Sequence, residues 1–252
     1  MILHNNAMID ISQFFHETIN VFFPHRCQIS GDYLSAFPLT HLNQTTYAEL
    51  FSALQLSCSI CGKPANDTSP APYKCPDCRN KPTPPLRFMY AGKYDGTLKN
   101  LLHLYKYQRN MFLADLLGKY MVAFLSIQKI LFKTGYECII PVPLAPAKLR
   151  ERGFNQIELI AKYIAQHFGI PANTTILRRK NHRFSQTSLD RSHRLLNLKD
   201  IFYLSKKGNI SGKNIILLDD VRSTGSTLYY ASHALFEGGA QTILTLTLAN
   251  NE

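Results

Sequence analysis

One stretch, Asn214–Thr227, constrains the fold of this chain more than any other part of it. Its apolar run, Ile215–Leu218, has the length and the boundaries of a buried β-strand. Two carboxylates, Asp219 and Asp220, close that strand, and a short loop of serine, threonine and glycine follows. Leu228–Phe236 then shows the spacing of a helix. The stretch therefore predicts a strand, an acidic pair, a small-residue loop and a helix in direct succession.

The loop after the acidic pair has the composition of a phosphate site. Backbone N–H groups at the start of a helix lack partners in the helix, and the helix dipole favours an anion there. Gly225 allows close approach of the backbone, and the aspartates can accept from ribose hydroxyls or help hold a divalent metal. An acidic pair that only caps a helix is the alternative. The predicted sugar-phosphate residues are Asp219, Asp220, Val221, Arg222, Ser223, Thr224, Gly225, Ser226 and Thr227.

Length and charge set wider bounds on the chain. Its 252 residues are enough for one domain of good size and a smaller one. No apolar run approaches the roughly 18 residues that a transmembrane helix needs, and no signal peptide is recognisable at the N-terminus. We therefore expect a soluble, cytoplasmic protein. The net charge of +11 favours polyanionic partners or substrates, with a generally basic surface as the alternative.

The cysteines indicate a metal site near the N-terminus. In a chain without an export signal, two C-x2-C pairs predict a zinc site rather than disulfides, and four reduced thiols are the alternative. Four thiolates fill a tetrahedral coordination sphere, so the predicted Zn2+ is structural. An earlier pair, Cys27-x2-Ser30, has serine in the second place, and serine is a poor zinc ligand. The predicted zinc ligands are Cys58, Cys61, Cys75 and Cys78.

Predicted strands and helices alternate along the chain. An amphipathic helix is predicted over residues 8–23, and the linker Pro82–Pro85 separates an N-terminal helix and zinc-ribbon region, residues 1–84, from a domain at 85–252. The alternation predicts an α/β fold with a parallel sheet flanked by helices, and a ligand at the carboxyl ends of its strands. The predicted strands are Leu86–Ala91, Glu137–Val142, Asp200–Leu204, Ile215–Leu218 and Gln241–Leu248, and the predicted helices include Leu98–Tyr107, Phe112–Phe132 and Asn155–His167.

Basic side chains concentrate in two segments of the second domain. The first precedes the helix Asn155–His167, where cations can pair with phosphate oxygens. The second, Leu177–Leu198, lacks a clean period and predicts an excursion from the sheet that ends in a short helix at Leu189–Leu196. A solvated basic surface is the alternative. The candidates to bind pyrophosphate or DNA are Lys106, Lys148, Arg150, Arg152, Arg178, Arg179, Arg183, Arg191 and Arg194.

A family resemblance rests on the order of these motifs. The paired cysteines are followed by L-Y-K-Y, P-V-P-L, R-E-R-G-F-N-Q, R-x-x-R-x-x-N and L-L-D-D-V-R-S-T-G-S-T. The last motif resembles the ribose-phosphate loop of type I phosphoribosyltransferases, and the whole series resembles the ComF family of competence-associated proteins. The resemblance implies a zinc ribbon joined to a phosphoribosyltransferase-like domain. It also implies phosphoribosyl pyrophosphate with Mg2+, single-stranded DNA and other competence proteins as partners in natural transformation.

The resemblance leaves more than one function open. The first is a phosphoribosyl-pyrophosphate-binding protein that engages single-stranded DNA, for which Phe154 and Phe184 between the basic residues would supply stacking surfaces. The second is an active phosphoribosyltransferase, although no acceptor pocket is recognisable. A transcription regulator would need a DNA-reading motif such as a helix-turn-helix, and the N-terminus shows a ribbon instead. Arg222 replaces the small or hydroxylated residue usual in such loops, so an additional phosphate or DNA contact is expected there.

Overall fold

The computed structural model describes residues 26–27, 29–32, 42–66, 69–107, 113–129, 135–180, 201–205 and 209–251. Several predictions lie outside these residues: the helix over residues 8–23, the short helix at Leu189–Leu196, and Arg183, Phe184, Arg191 and Arg194. Within the described ranges, no helix combines the length and the apolar character needed to span a bilayer.

The described residues form both strands and helices, as the sequence predicts, with three strands in succession before the last helix. The strands are β1 (Leu86–Lys93), β2 (Cys138–Pro141), β3 (Leu177–Arg179), β4 (Phe202–Leu204), β5 (Asn214–Arg222) and β6 (Thr242–Asn250). The helices are α1 (Gln44–Ser52), α2 (Pro76–Arg79), α3 (Gly96–Tyr107), α4 (Leu113–Gln128), α5 (Pro146–Arg152), α6 (Gln156–Phe168) and α7 (Ser226–Glu237).

Four of these strands form one parallel sheet in the order β1-β6-β5-β2. The strands β3 and β4 pair with each other in antiparallel orientation and form a separate two-stranded sheet. The segment predicted as a strand at Asp200–Leu204 is therefore a strand only from Phe202, and it lies outside the parallel sheet. Its partner β3 occupies the start of the segment that the sequence predicted as an excursion.

Both faces of the parallel sheet are buried, which explains the continuous apolar runs of its central strands. On one face, Ile216 and Leu218 belong to a core that also contains the apolar sides of α3, α4 and α6. On the other face, Ile215 and Leu217 pack with α7. Each fully buried side chain of this kind contributes about 1.5–3 kcal/mol relative to an exposed one. The apolar run therefore anchors β5 between the two cores, one on each face of the sheet.

The strand β5 continues four residues beyond its apolar run, so the acidic pair lies inside the strand rather than after it. Asp219 is in register with Thr247 of β6, and pairing between the two strands continues as far as Arg222 and Asn250. The neighbouring strand offers backbone partners over this length, so the change to polar side chains does not end the ladder. Because successive side chains of a strand point to opposite faces, Asp219 and Asp220 face opposite sides of the sheet.

The four-cysteine region, Cys58–Cys78, lies against the edge strand β1 of the parallel sheet. The backbone N–H of Phe88 in β1 donates to the carbonyl oxygen of Ile60 at 3.0 Å. Gly62 has φ of +76°, and a Cβ there would lie 3.2 Å from the ring of Tyr90. The side-chain oxygen Oε1 of Gln128, at the end of α4, accepts from the N–H of Ser57 at 3.0 Å. The Phe88–Ile60 hydrogen bond and the close approach of Gly62 to Tyr90 cover the edge strand, and the Ser57–Gln128 bond attaches the same region to α4. An uncovered edge would be a place where strands of other chains can pair.

Candidate functional site

The acidic pair of β5 has two different environments. The carboxylate of Asp220 forms an ion pair with Lys106, at the end of α3, with 3.0 Å between Nζ and Oδ2. Both side chains of this pair are largely buried. On the other face of the sheet, Oδ1 of Asp219 accepts from the backbone N–H of Asp220 at 2.9 Å. One carboxylate is therefore neutralised by a lysine, whereas the other relies on backbone and more distant charges.

The environment of Asp219 disfavours its ionised form. Burial and the negative charge of Asp220 raise the pKa of Asp219 to about 7, against the attraction of Lys106 and Arg179. Arg179 lies on β3, where its guanidinium is 5.3 Å from the ring centroid of Phe202 and its pKa is lowered by burial. A carboxyl group with this pKa is divided between its two protonation states at neutral pH. A cation or a hydroxyl donor placed beside it would favour the ionised form.

The loop after β5 forms a small concave cradle at the start of α7. Gly225 is the N-cap of α7 and has φ of +72°, a conformation that favours glycine. A Cβ at this position would lie 3.1 Å from Nε of Arg222, so a larger residue would crowd that side chain. The hydroxyl oxygens of Thr224 and Ser226 are 3.0 Å apart. The cradle has a volume of about 20 Å3 and is lined by Asp219, Val221, Arg222, Ser223, Thr224, Gly225, Ser226, Thr227 and Leu228.

The structure separates the predicted cations of residues 148–152. They lie in the short helix α5, which begins at Pro146 and precedes α6. Lys148 and Arg150 are exposed on α5. Arg152 is buried, its Nη1 donates to Oε1 of Gln156 at 3.3 Å, and its guanidinium is 5.3 Å from the ring centroid of Tyr107. The first two cations are therefore open to solvent, whereas the third belongs to the packing around the site.

The motif R-E-R-G-F-N-Q builds a buried polar network that sequence reasoning missed. The side chain of Gln156 donates from Nε2 to the backbone carbonyl oxygen of Lys106 at 3.4 Å. The backbone carbonyl oxygen of Gln156 accepts from the hydroxyl of Tyr105 at 2.7 Å. Asn155 donates from Nδ2 to the carbonyl oxygen of Val142 at 3.1 Å. The network ties α6 to the end of α3, where Lys106 meets the acidic pair. Two adjacent amide side chains at the start of an apolar helix were the available signal.

The remaining candidates of the second domain differ in exposure. Arg178 is exposed on β3, and Arg179 is half-buried beside Phe202. Phe154, expected as a stacking surface, packs against the core instead, with its ring centroid 6.4 Å from that of Tyr105. Arg222 lies with its guanidinium carbon 4.4 Å from the ring centroid of Phe88. The structure thus brings Lys106, Arg179 and Arg222 to the acidic strand and loop.

The four cysteines of the two C-x2-C pairs come together as metal ligands would. All four sulfur atoms lie within 4.8 Å of one another, and Sγ of Cys61 is 3.7 Å from Sγ of Cys75. Tetrahedral zinc with Zn–S bonds of about 2.3 Å requires about 3.8 Å between sulfurs, so these side chains fit a zinc ion. An ion pair of 2.6 Å between Lys63 and Asp77 joins the two knuckles on the surface. The cluster can hold a metal such as zinc.

The turn at Cys27 has the shape of a zinc knuckle, but it is held by hydrogen bonds instead of a pair of cysteine ligands. The N–H of Gly31 donates to the carbonyl oxygen of Cys27 at 3.0 Å, and the N–H of Ser30 lies 3.5 Å from Sγ of Cys27. The hydroxyl of Ser30 donates to Asp32 at 2.6 Å and accepts from Asn43 at 3.1 Å. Hydrogen bonds hold this turn where a cysteine pair would use a metal.

Comparison with known proteins agrees with this fold. Residues 158–252 match the model of the phosphoribosyl transferase domain. The chain is 30% identical over 192 residues to the DNA utilization protein YhgH of Salmonella typhi, covering 74% of this chain and 80% of that protein. It is 28% identical over 191 residues to competence protein F of Haemophilus influenzae, covering 75% and 83%. It is 28% identical over 200 residues to competence protein ComFC of Bacillus subtilis, covering 76% of each.

The parallel sheet, the acidic strand and the glycine loop thus define a protein with a phosphoribosyltransferase domain of type I. This chain belongs to the ComF family, together with the competence and DNA utilization proteins to which it is similar. The predicted family and the predicted fold class, including the four-cysteine region before the domain, are confirmed.

Proposed function

We propose that this protein binds phosphoribosyl pyrophosphate together with Mg2+ and serves in natural transformation, where it handles single-stranded DNA in the cytosol. The observation that carries the first part is the cradle of Gly225 at the end of an acidic strand. The names of the relatives, competence proteins and DNA utilization proteins, support the second part. We also propose that the four cysteines hold structural Zn2+, and the boundary near residue 84 stays a prediction.

Different residues of the site would bind different parts of the sugar phosphate. The N–H groups and hydroxyls of the loop would bind the 5-phosphate at the start of α7. Asp219 and Asp220 would accept hydrogen bonds from the ribose hydroxyls, and the ion pair with Lys106 holds the carboxylate of Asp220 in place. Mg2+ would neutralise part of the charge of the diphosphate when it binds. In the protein without ligand, burial disfavours the ionised form of Asp219, and the positive charge of Mg2+ would favour that form.

Calorimetric titration with phosphoribosyl pyrophosphate and Mg2+ tests the first part. The double variant Asp219→Asn with Asp220→Asn should bind at least about a hundredfold more weakly, since each hydrogen bond to a charged acceptor is worth about 1.5–3 kcal/mol. Asp115→Asn is the matched control, because Asp115 pairs with Lys119 on the exposed side of α4. Equal affinities of the wild-type protein and the double variant would remove the argument from the acidic pair.

The charge of the surface supports the second part. The chain carries a net charge of +11, and Lys148, Arg150 and Arg178 are exposed. Fluorescence anisotropy with a labelled single-stranded oligonucleotide should show affinity that falls steeply with salt, because bound phosphates release counterions. Lys148→Gln with Arg150→Gln should lower the slope by about 0.7 for each lost phosphate contact. A slope near zero in the wild-type protein would refute the electrostatic account.

The family match to phosphoribosyl transferases also supports an alternative, an active transferase. An acceptor nucleophile would then attack the anomeric carbon while the bond to pyrophosphate breaks, and the electron pair of that bond would leave with pyrophosphate. The protein would contribute positioning and neutralisation of charge. Pyrophosphate release assayed with a panel of bases and DNA ends separates a transferase from a binding protein, because a binding protein releases none.

A further inference from the structure

A second and larger cavity adjoins the phosphate loop. It has a volume of about 600 Å3 and lies on the face of the sheet that carries α7. The sheet contributes Leu86, Phe88 and Thr245, the four-cysteine region contributes Cys61, and the first two turns of α7 complete the wall. Small-molecule sites have volumes of roughly 300–1,000 Å3 and mostly apolar walls with a few polar groups. This cavity has that size and that character.

The walls of the cavity present flat surfaces that suit an aromatic ring. The guanidinium of Arg222 covers the ring of Phe88, with 4.4 Å between its central carbon and the ring centroid. Tyr229 is 58% exposed at the mouth, and its ring meets that of Tyr230 edge-on, with centroids 5.2 Å apart. Aromatic rings and guanidinium planes are the surfaces on which nucleic-acid bases stack.

The cavity is also lined by a buried hydroxyl that lacks a hydrogen-bond partner among the described residues. Ser232 of α7 lines the cavity and is only 1% exposed, and its hydroxyl has no hydrogen-bond partner among the described residues. The nearby hydroxyl of Thr245 differs, since it donates to the carbonyl oxygen of Arg87 at 3.0 Å. A buried hydroxyl without a partner is costly, so a bound ring with a carbonyl or ring nitrogen at its edge would recover that loss.

The large cavity and the phosphate cradle share part of their walls. Arg222, Thr224, Gly225 and Ser226 line both of them. A ligand that consists of a flat polar ring joined to a phosphate could therefore place its ring in the cavity and its anion near Arg222 and the loop. Nucleotides have this composition.

We propose that this cavity receives a base of single-stranded DNA, with the adjoining phosphate near Arg222. The proposal rests on the proposed handling of single-stranded DNA and gives it a site on the chain. The base would stack on the guanidinium of Arg222, which lies on the ring of Phe88, and against Tyr229, and its edge would meet the hydroxyl of Ser232. Stacking depends little on which base is present, so the site would accept any sequence.

The test compares two single-stranded oligonucleotides of equal length and charge, one of thymidines and one abasic, by anisotropy at constant salt. The wild-type protein should prefer the thymidine strand roughly five- to hundredfold, the range expected for one stacked base. Phe88→Leu should abolish most of this preference, and Ser232→Ala should reduce it roughly two- to tenfold. Ser126→Ala is the matched control, because Ser126 is exposed on α4 and donates within its own helix.

Each outcome decides for or against the cavity. Equal binding of both strands, or a preference that both cavity variants retain, would overturn it while leaving DNA binding in place. No binding of either strand would overturn the proposed DNA function as well. Neither Phe88 nor Ser232 lines the cradle, so calorimetry should show unchanged affinity for phosphoribosyl pyrophosphate in both variants. Thermal melting verifies their folding, and Ser232→Ala decides alone if Phe88→Leu does not fold, because it removes only an unpaired hydroxyl.

Discussion

Replacement of Asp219 by asparagine should stabilise this protein more in alkaline than in acidic solution. In the folded chain, burial and the charge of Asp220 raise the pKa of Asp219 from 3.8 to about 7. Between these two values the folded state holds a proton that the unfolded state has released. Stability therefore falls as the pH rises through this interval, and the loss is complete above about pH 7. Asparagine has no proton to release, so the variant avoids this loss.

The size of the effect follows from the two pKa values of Asp219. The interval from 3.8 to about 7 corresponds to about 4 kcal/mol, at about 1.4 kcal/mol for each pH unit. Part of this is already lost at pH 5, where the unfolded carboxyl is ionised and the folded one is not. Between pH 5 and pH 8, the advantage of the asparagine variant over the wild-type protein should grow by about 2–3 kcal/mol.

Urea denaturation at pH 5 and pH 8, in the presence of zinc, measures this difference in the free energy of unfolding. Asp115→Asn is the control for a surface carboxylate, because Asp115 is exposed beside Lys119. An advantage of Asp219→Asn that is the same at both pH values would refute the reasoning. We expect the stabilised variant to bind the sugar phosphate less well, since a binding site often keeps groups that are costly to the fold.

Three further predictions concern the loop, the cysteines and the buried network. Gly225→Ala should cost about 1 kcal/mol or more in urea denaturation and weaken phosphoribosyl pyrophosphate binding in calorimetry, because the new Cβ meets Arg222 at positive φ. Cys58→Ser should lose zinc in metal analysis, and a wild-type protein without zinc would contradict the site. Gln156→Ala should destabilise by about 1–3 kcal/mol, whereas exposed Gln166→Ala on the same helix should not, as thermal melting would show.

The parts of this protein that were predictable from sequence are those that depend on neighbours along the chain. The spacing of Cys58–Cys78 and the glycine after an acidic strand are local signals, because a metal knuckle or a phosphate turn is built within a few residues. The alternation of strands and helices likewise predicts a parallel sheet. The end of the strand was less predictable, since pairing with β6 carries β5 beyond its apolar run to Arg222.

Contacts between distant parts of the chain decided the rest of the site. Lys106 meets Asp220 across more than a hundred residues, and the pair forms because α3 covers one face of the sheet at the end of β5. The pleat of β5 sends Asp219 to the other face, and burial there shifts its pKa. Arg152, a candidate for phosphate or DNA binding from the sequence, is buried and donates to Gln156. Burial and long-range pairing arise only when the chain folds. Sequence patterns therefore predict which chemical groups the site contains, and the tertiary structure determines their charges and partners.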